Sequence, residues 1–212
     1  MKRFAIICAA LLFASCFGMS SDITIKKNGS GSIALAYRIS EELIALGTLD
    51  GNEHLPAVPV GEEDFKRTVS RIEGLSLKSF SSKQDGTDIV YHVNLAFENI
   101  DALVSFLDTQ GQFVTMTEKD GKRILTVVFA PGTEEYTPEM LELMPVIFDG
   151  YDFDFSIKLP SKSDVVFFDR GSEKLAAPAV GVAEKLSQGV KYSAPMGALF
   201  AAGETVALEI SW

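Results

Sequence analysis

Few residues in this chain could do chemistry by their type and spacing. There are two histidines. His54 lies in a proline-containing stretch, and His92 alternates with the apolar residues of a strand-like segment beside Asn94. A zinc site needs clustered nitrogen, sulfur or carboxylate ligands, and two isolated histidines do not make one. Asp149, Asp152 and Asp154 are close enough to suggest calcium. Their spacing lacks the glycine and the closing glutamate of a twelve-residue calcium loop, and on a strand Asp152 and Asp154 would decorate the wet face. No Gly-x-Ser-x-Gly, Ser-x-x-Lys or His-Glu-x-x-His pattern occurs. Asn28-Gly-Ser-Gly-Ser32 lacks the Lys-Ser/Thr and helix of a phosphate loop and reads as a turn. The chain has 29 acidic residues, and none pair off by spacing as a glycosidase acid and nucleophile would. No catalytic residue, metal ligand or cofactor is expected.

Two cysteines remain, Cys8 and Cys16. Met1-Lys2-Arg3 is a short basic start, Phe4 to Phe13 is an unbroken apolar or small run, and Ala14-Ser15-Cys16 follows. A basic head, an apolar stretch of about 7–15 residues and small residues at a cut describe a secretory signal. The run is too short to cross a bilayer, which needs about 20 apolar residues. The cut region resembles the lipobox of bacterial lipoproteins, in which the cysteine at the cut receives acyl chains. Ala14, Ser15 and Cys16 match, while Phe13 stands where that pattern prefers leucine. The resemblance implies lipid attachment at Cys16 and a membrane-anchored place in the cell envelope. The plainer alternative is an ordinary secretory signal that happens to end near a cysteine. Removal of residues 1–15 takes Cys8 with it, so no internal disulfide can form, and the fold must rest on its own core.

Without Lys2 and Arg3 the charge is 17 basic against 29 acidic residues, or −12. Nucleic-acid phosphates would repel such a body, and an anionic membrane surface would not attract it. Membrane attachment would therefore come from hydrocarbon.

The elements that must position any site begin with three turns. Asn28-Gly29, Asp85-Gly86 and Asp120-Gly121 each separate apolar-alternating segments, the pattern of tight hairpins. Ile23 and Ile25; Ile33, Leu35, Tyr37 and Ile39; and Ile89, Tyr91, Val93, Leu95 and Phe97 each line one face of a strand. Arg123 to Phe129, apolar on both faces, predicts a central strand. Tyr151 to Leu159 alternates again, and Val206 to Trp212 closes the chain as a strand. Helices are expected over Glu62 to Ile72, from the N-cap Asn99 and from Thr137-Pro138. Residues 47–61 read as an exposed loop, and 171–203 show no clear period. This order predicts an α+β class: a mainly antiparallel sheet with helices packed on one face, in a ferredoxin-like βαββαβ order extended by further strands. The expected organisation is a signal peptide at 1–15, a lipidated N-terminus with the first strand at 16–30, and a single domain at 31–212.

Fifteen phenylalanines are many for 212 residues. They fill an aromatic core or, with adaptable methionines, line an apolar ligand pocket. The candidate lining is Met140, Met144, Phe148, Phe153 and Phe155. The opening strand Gly31-Ser-Ile-Ala-Leu-Ala-Tyr-Arg-Ile39, the segment Phe155-Ser-Ile-Lys-Leu-Pro160 and the closing Leu208-Glu-Ile-Ser-Trp212 follow the lipobox-like start. Together they resemble LppM-type bacterial envelope lipoproteins. That resemblance implies an envelope role with lipid binding and carries no catalytic residue. The expectation is a non-enzymatic, lipid-anchored protein that binds an apolar or lipid ligand or another envelope component. Its partners are the membrane, through acyl chains, and a lipid or envelope protein, with no nucleic acid. The alternatives are an envelope hydrolase with unidentified carboxylates and a ligand-free scaffold.

Overall fold

The structure is a computed structural model that describes residues 17–41, 44, 61–108, 111–130, 141–142, 145, 148–168, 174–203 and 205–212. Its backbone is organised first by the three hairpins. The strands β1 (Phe17–Ile25) and β2 (Gly31–Ser40) join at Asn28-Gly29. After the helix α1 (Glu62–Val69), β3 (Leu75–Asp85) and β4 (Asp88–Phe97) join at Gly86. After α2 (Ile100–Leu107), β5 (Val114–Lys119) and β6 (Lys122–Ala130) join at Asp120-Gly121. Gly29, Gly86 and Gly121 have φ of 83°, 67° and 72°, and Asp120 joins them at 53°. At Asp120-Gly121 both residues of the two-residue loop have positive φ, as a type I′ turn requires.

The rest of the chain is mostly strand: β7 (Asp152–Lys158), β8 (Asp164–Phe168), β9 (Lys174–Leu175), β10 (Val182–Leu186), β11 (Gly189–Pro195), the short helix α3 (Met196–Phe200) and β12 (Val206–Ser211). These strands overturn the expected α+β, ferredoxin-like arrangement. The described strands form two sheets, one of seven in the order β10-β11-β7-β1-β2-β4-β3 and one of five in the order β5-β6-β12-β8-β9. Pairing is antiparallel except between β1 and β7. Among the described residues the three helices have eight, eight and five residues, too few to cover a sheet of seven strands. The core is mainly sheet against sheet, with Phe65 of α1 and Ile100, Ala102 and Leu103 of α2 in the same buried cluster. The helix expected from Thr137 lies largely outside the described residues.

Period-two alternation explains why the two sheets meet. Ile33, Leu95, Ile157 and Val190 of the larger sheet, and Leu125, Leu208 and Ile210 of the smaller, are fully or almost fully buried in one cluster. Burying each such side chain contributes about 1.5–3 kcal/mol. Phe129 bridges the sheets. The β6–β12 register runs from Val128↔Ala207 to Ala130↔Val206, which leaves Phe129 without a partner on β12. Its ring stacks on Tyr192 at 4.5 Å and meets Phe155 and Phe153 at 5.2 and 5.3 Å. A bulge of this kind strengthens the local twist and bends its strand.

Local caps follow the residue chemistry. Asn99 accepts a hydrogen bond from the Ala102 amide at 2.9 Å, so it caps α2 as expected. Asp108, buried past the other end of α2, accepts from the amides of Gly111, Phe113 and Val114 and fixes the path into β5.

Candidate functional site

Cys16 lies outside the described residues, but its neighbour Phe17 opens β1, paired with Ile39. β1 sits in the interior of the seven-stranded sheet, between β7 and β2. The segment just before β7 reaches over this end of the sheet. A β-carbon on Gly18 would lie 3.3 Å from the Tyr151 ring, and the Tyr151 hydroxyl donates to Asp88 at 3.2 Å. Asp88, only 8% exposed, also has Arg38 Nε at 3.6 Å, and Arg38 Nη2 bonds Asp85 at 2.6 Å.

The aromatic residues gather at the same end. Phe148 stacks on Phe200 at 4.8 Å, and Phe200 is 38% exposed. Phe148 and Met196 form a small buried cluster that Met19, Tyr151, Phe153 and Ala201 pack against. Phe155 points into the main core beside Phe129. The structure therefore brings Phe148, Phe153 and Phe155 into one neighbourhood. Met140 and Met144 lie outside the described residues. Met19, Phe129, Tyr192 and Met196 belong with the three phenylalanines, although neither spacing nor alternation joins them in the sequence.

His92 is exposed on the outer face of the large sheet, opposite Ala36 on β2 and Ser81 on β3. Asp152 and Asp154 are also exposed there. Asp22, Asp154, Glu184 and Lys191 border a shallow hollow of about 320 Å³ on this face. Among the described residues no three His, Cys, Asp or Glu are placed to hold a metal ion. His54 lies outside them. Burial pushes the Tyr37 hydroxyl well above the usual phenol range, helped by Tyr91 and Asp64, and burial does the same for Tyr192. Both phenols stay protonated at neutral pH and offer no base.

A second hollow, of about 410 Å³, runs between α1 and β3. Glu62, Lys66, Val69 and Ser70 form one wall, and the continuous stretch Leu75–Phe80 forms the other. The helix wall is one face because positions i, i+4, i+7 and i+8 align. Lys66 is held by Glu63 at 2.7 Å and Glu62 at 3.1 Å, and these bonds push its pKa up. Phe65 anchors α1 to the sheet, 5.9 Å from Phe80 and 6.2 Å from Tyr37. No described helix is long and apolar enough to cross a membrane.

Comparison with protein-family models, with curated proteins and with solved structures found no match.

Proposed function

We propose that this chain is an exported envelope protein, held at a membrane by acyl chains on Cys16, whose β-sandwich binds another envelope component and catalyses no reaction. The observation that carries the anchor is the junction. The lipobox-like Ala14-Ser15-Cys16 is followed at once by Phe17, the first residue of an interior strand. Acyl chains at Cys16 would hold that end of the sandwich at the bilayer without a linker. One chain gives a binding constant of only about 10⁴ M⁻¹, so stable attachment calls for more than one.

The α1–β3 groove supports a protein-like partner. The rings of Phe129, Phe155 and Tyr192 occupy the space between the sheets by mutual contact, which favours binding at the surface over a ligand deep inside. An apolar ligand is the second reading. It is favoured by the half-open Phe148–Phe200 stack beside Met196. Extraction of purified native protein with organic solvent separates the two. The first reading predicts no stoichiometric lipid beyond the covalent chains, and the second predicts a released apolar molecule.

A further inference from the structure

We propose that the groove between α1 and β3 captures a short, extended peptide segment carrying an acidic residue, which adds to the sheet as a strand. This deepens the partner-binding reading above and rests on it, but not on acylation of Cys16.

β3 is the last strand of the seven-stranded sheet, and among the described residues no strand pairs with its outer edge. A free edge presents a row of backbone donors and acceptors to a new strand. Here that edge is not flat against solvent. Leu75–Phe80 runs along the floor of a hollow of about 410 Å³, and α1 stands over it as a wall. Hollows of about 300–1,000 Å³ are the size that holds ligands. A strand laid there would find backbone on one side and Val69, Leu77 and Phe80 for its alternate side chains.

Charge selects the occupant. Two ammonium groups border the groove, on Lys66 and Lys78. Lys66 is already paired with Glu62 and Glu63. Lys78 has no ion-pair partner among the described residues, and it is the extra residue of a bulge: Leu77 pairs with Leu95, Ser79 with Asn94, and Lys78 with neither. Lysine and a bulge on an edge strand are the usual guards against indiscriminate pairing. An apolar strand would leave the ammonium desolvated and unmatched, whereas a segment with a carboxylate at that point would satisfy it. Specificity of this kind comes from penalising the wrong partner as well as rewarding the right one.

The test uses the full chain in detergent, with two fluorescein-labelled hexapeptides of alternating Val and Thr, one carrying a central Glu and the other a Lys there. Anisotropy titration should show the Glu peptide binding about fivefold more tightly than the Lys peptide. Its amide chemical-shift changes should be confined to residues 62–70 and 75–80. The Lys78→Glu variant should invert the preference. The wild-type comparison of the two peptides decides the matter even if that variant misfolds. Equal binding of both peptides, no shifts at millimolar peptide, or shifts centred elsewhere would each overturn the proposal. So would concentration-dependent dimerisation that protects the 75–80 amides, which would give the edge to a second copy. If the peptides fail while the protein still co-purifies with an envelope protein through another face, this inference falls and the partner-binding reading stands.

Discussion

Tyr151 donates its hydroxyl to Oδ2 of Asp88 at 3.2 Å, tying the segment ahead of β7 to the first residue of β4 across 63 positions of sequence. The ring passes over Gly18, where a β-carbon would come within 3.3 Å of it. The tie therefore closes the end of the sheet where β1 begins. A hydrogen bond to a carboxylate contributes about 1.5–3 kcal/mol. Tyr151→Phe keeps the ring and removes the bond, so it should lower stability by roughly that amount, read as a lower urea midpoint with an unchanged slope. An unchanged midpoint would mean that the tie does not hold that end closed.

Phe129 should be among the costliest residues to truncate. It meets three rings of the opposite sheet from the unpaired position of a bulge. Phe129→Ala removes those contacts and leaves a cavity, a change that costs about 3–5 kcal/mol. Phe113→Ala is the control, because Phe113 is 38% exposed and its loss should cost far less. Comparable thermal shifts for the two variants would contradict a sheet-on-sheet core centred on Phe129.

Gly31 and Gly86 separate a packing constraint from a backbone one. A β-carbon at Gly31 would sit 2.3 Å from Cζ of Phe97 and 1.9 Å from the Thr24 carbonyl oxygen. Gly86 meets nothing within 4 Å and is constrained by its φ of 67°. Gly31→Ala should therefore disrupt the β1–β2–β4 core and reduce the yield of folded protein sharply. Gly86→Ala should cost about 1–2 kcal/mol, the strain of a left-handed residue. Circular dichroism melts of both variants check the order.

Much of the strand set was legible because burial imposes alternation. Ile33 to Ile39 and Ile89 to Phe97 announce their buried faces, and Asp120-Gly121 announces its turn. What was not legible is which strand neighbours which. Nothing in Ile23 or Ile157 says that β1 and β7 pair in parallel, and that pairing turns the expected helix-covered sheet into the larger half of a two-sheet stack. β11 carries Val190, Tyr192 and Ala194 in alternation, yet its glycine and proline and the small side chain of Ala194 mask the period. The groove depends on β3 being last in its sheet, a fact of topology that Leu75–Asp85 does not reveal. Tyr151 and Asp88 lie too far apart in sequence for spacing to link them.

Alkaline pH should unfold the protein in a defined direction. Burial raises the Tyr37 and Tyr192 hydroxyls above the ordinary value of 10.0. Because the folded value is the higher one, their contribution is complete below pH 10 and is lost as pH rises beyond it, since the unfolded chain ionises first. Phenolate absorbance and loss of circular dichroism should then rise together above that point. Full ionisation of all five tyrosines with the dichroism intact would contradict their burial.

The proposed anchor is the acylated Cys16. Intact-mass spectrometry of the protein extracted from its own membranes tests it most directly. Acylation at Cys16 predicts a chain beginning at Cys16 with the added mass of more than one acyl chain, and a Cys16→Ser variant that no longer fractionates with membranes. A membrane-bound chain that keeps residues 1–15, or begins elsewhere with no added acyl mass, would contradict it.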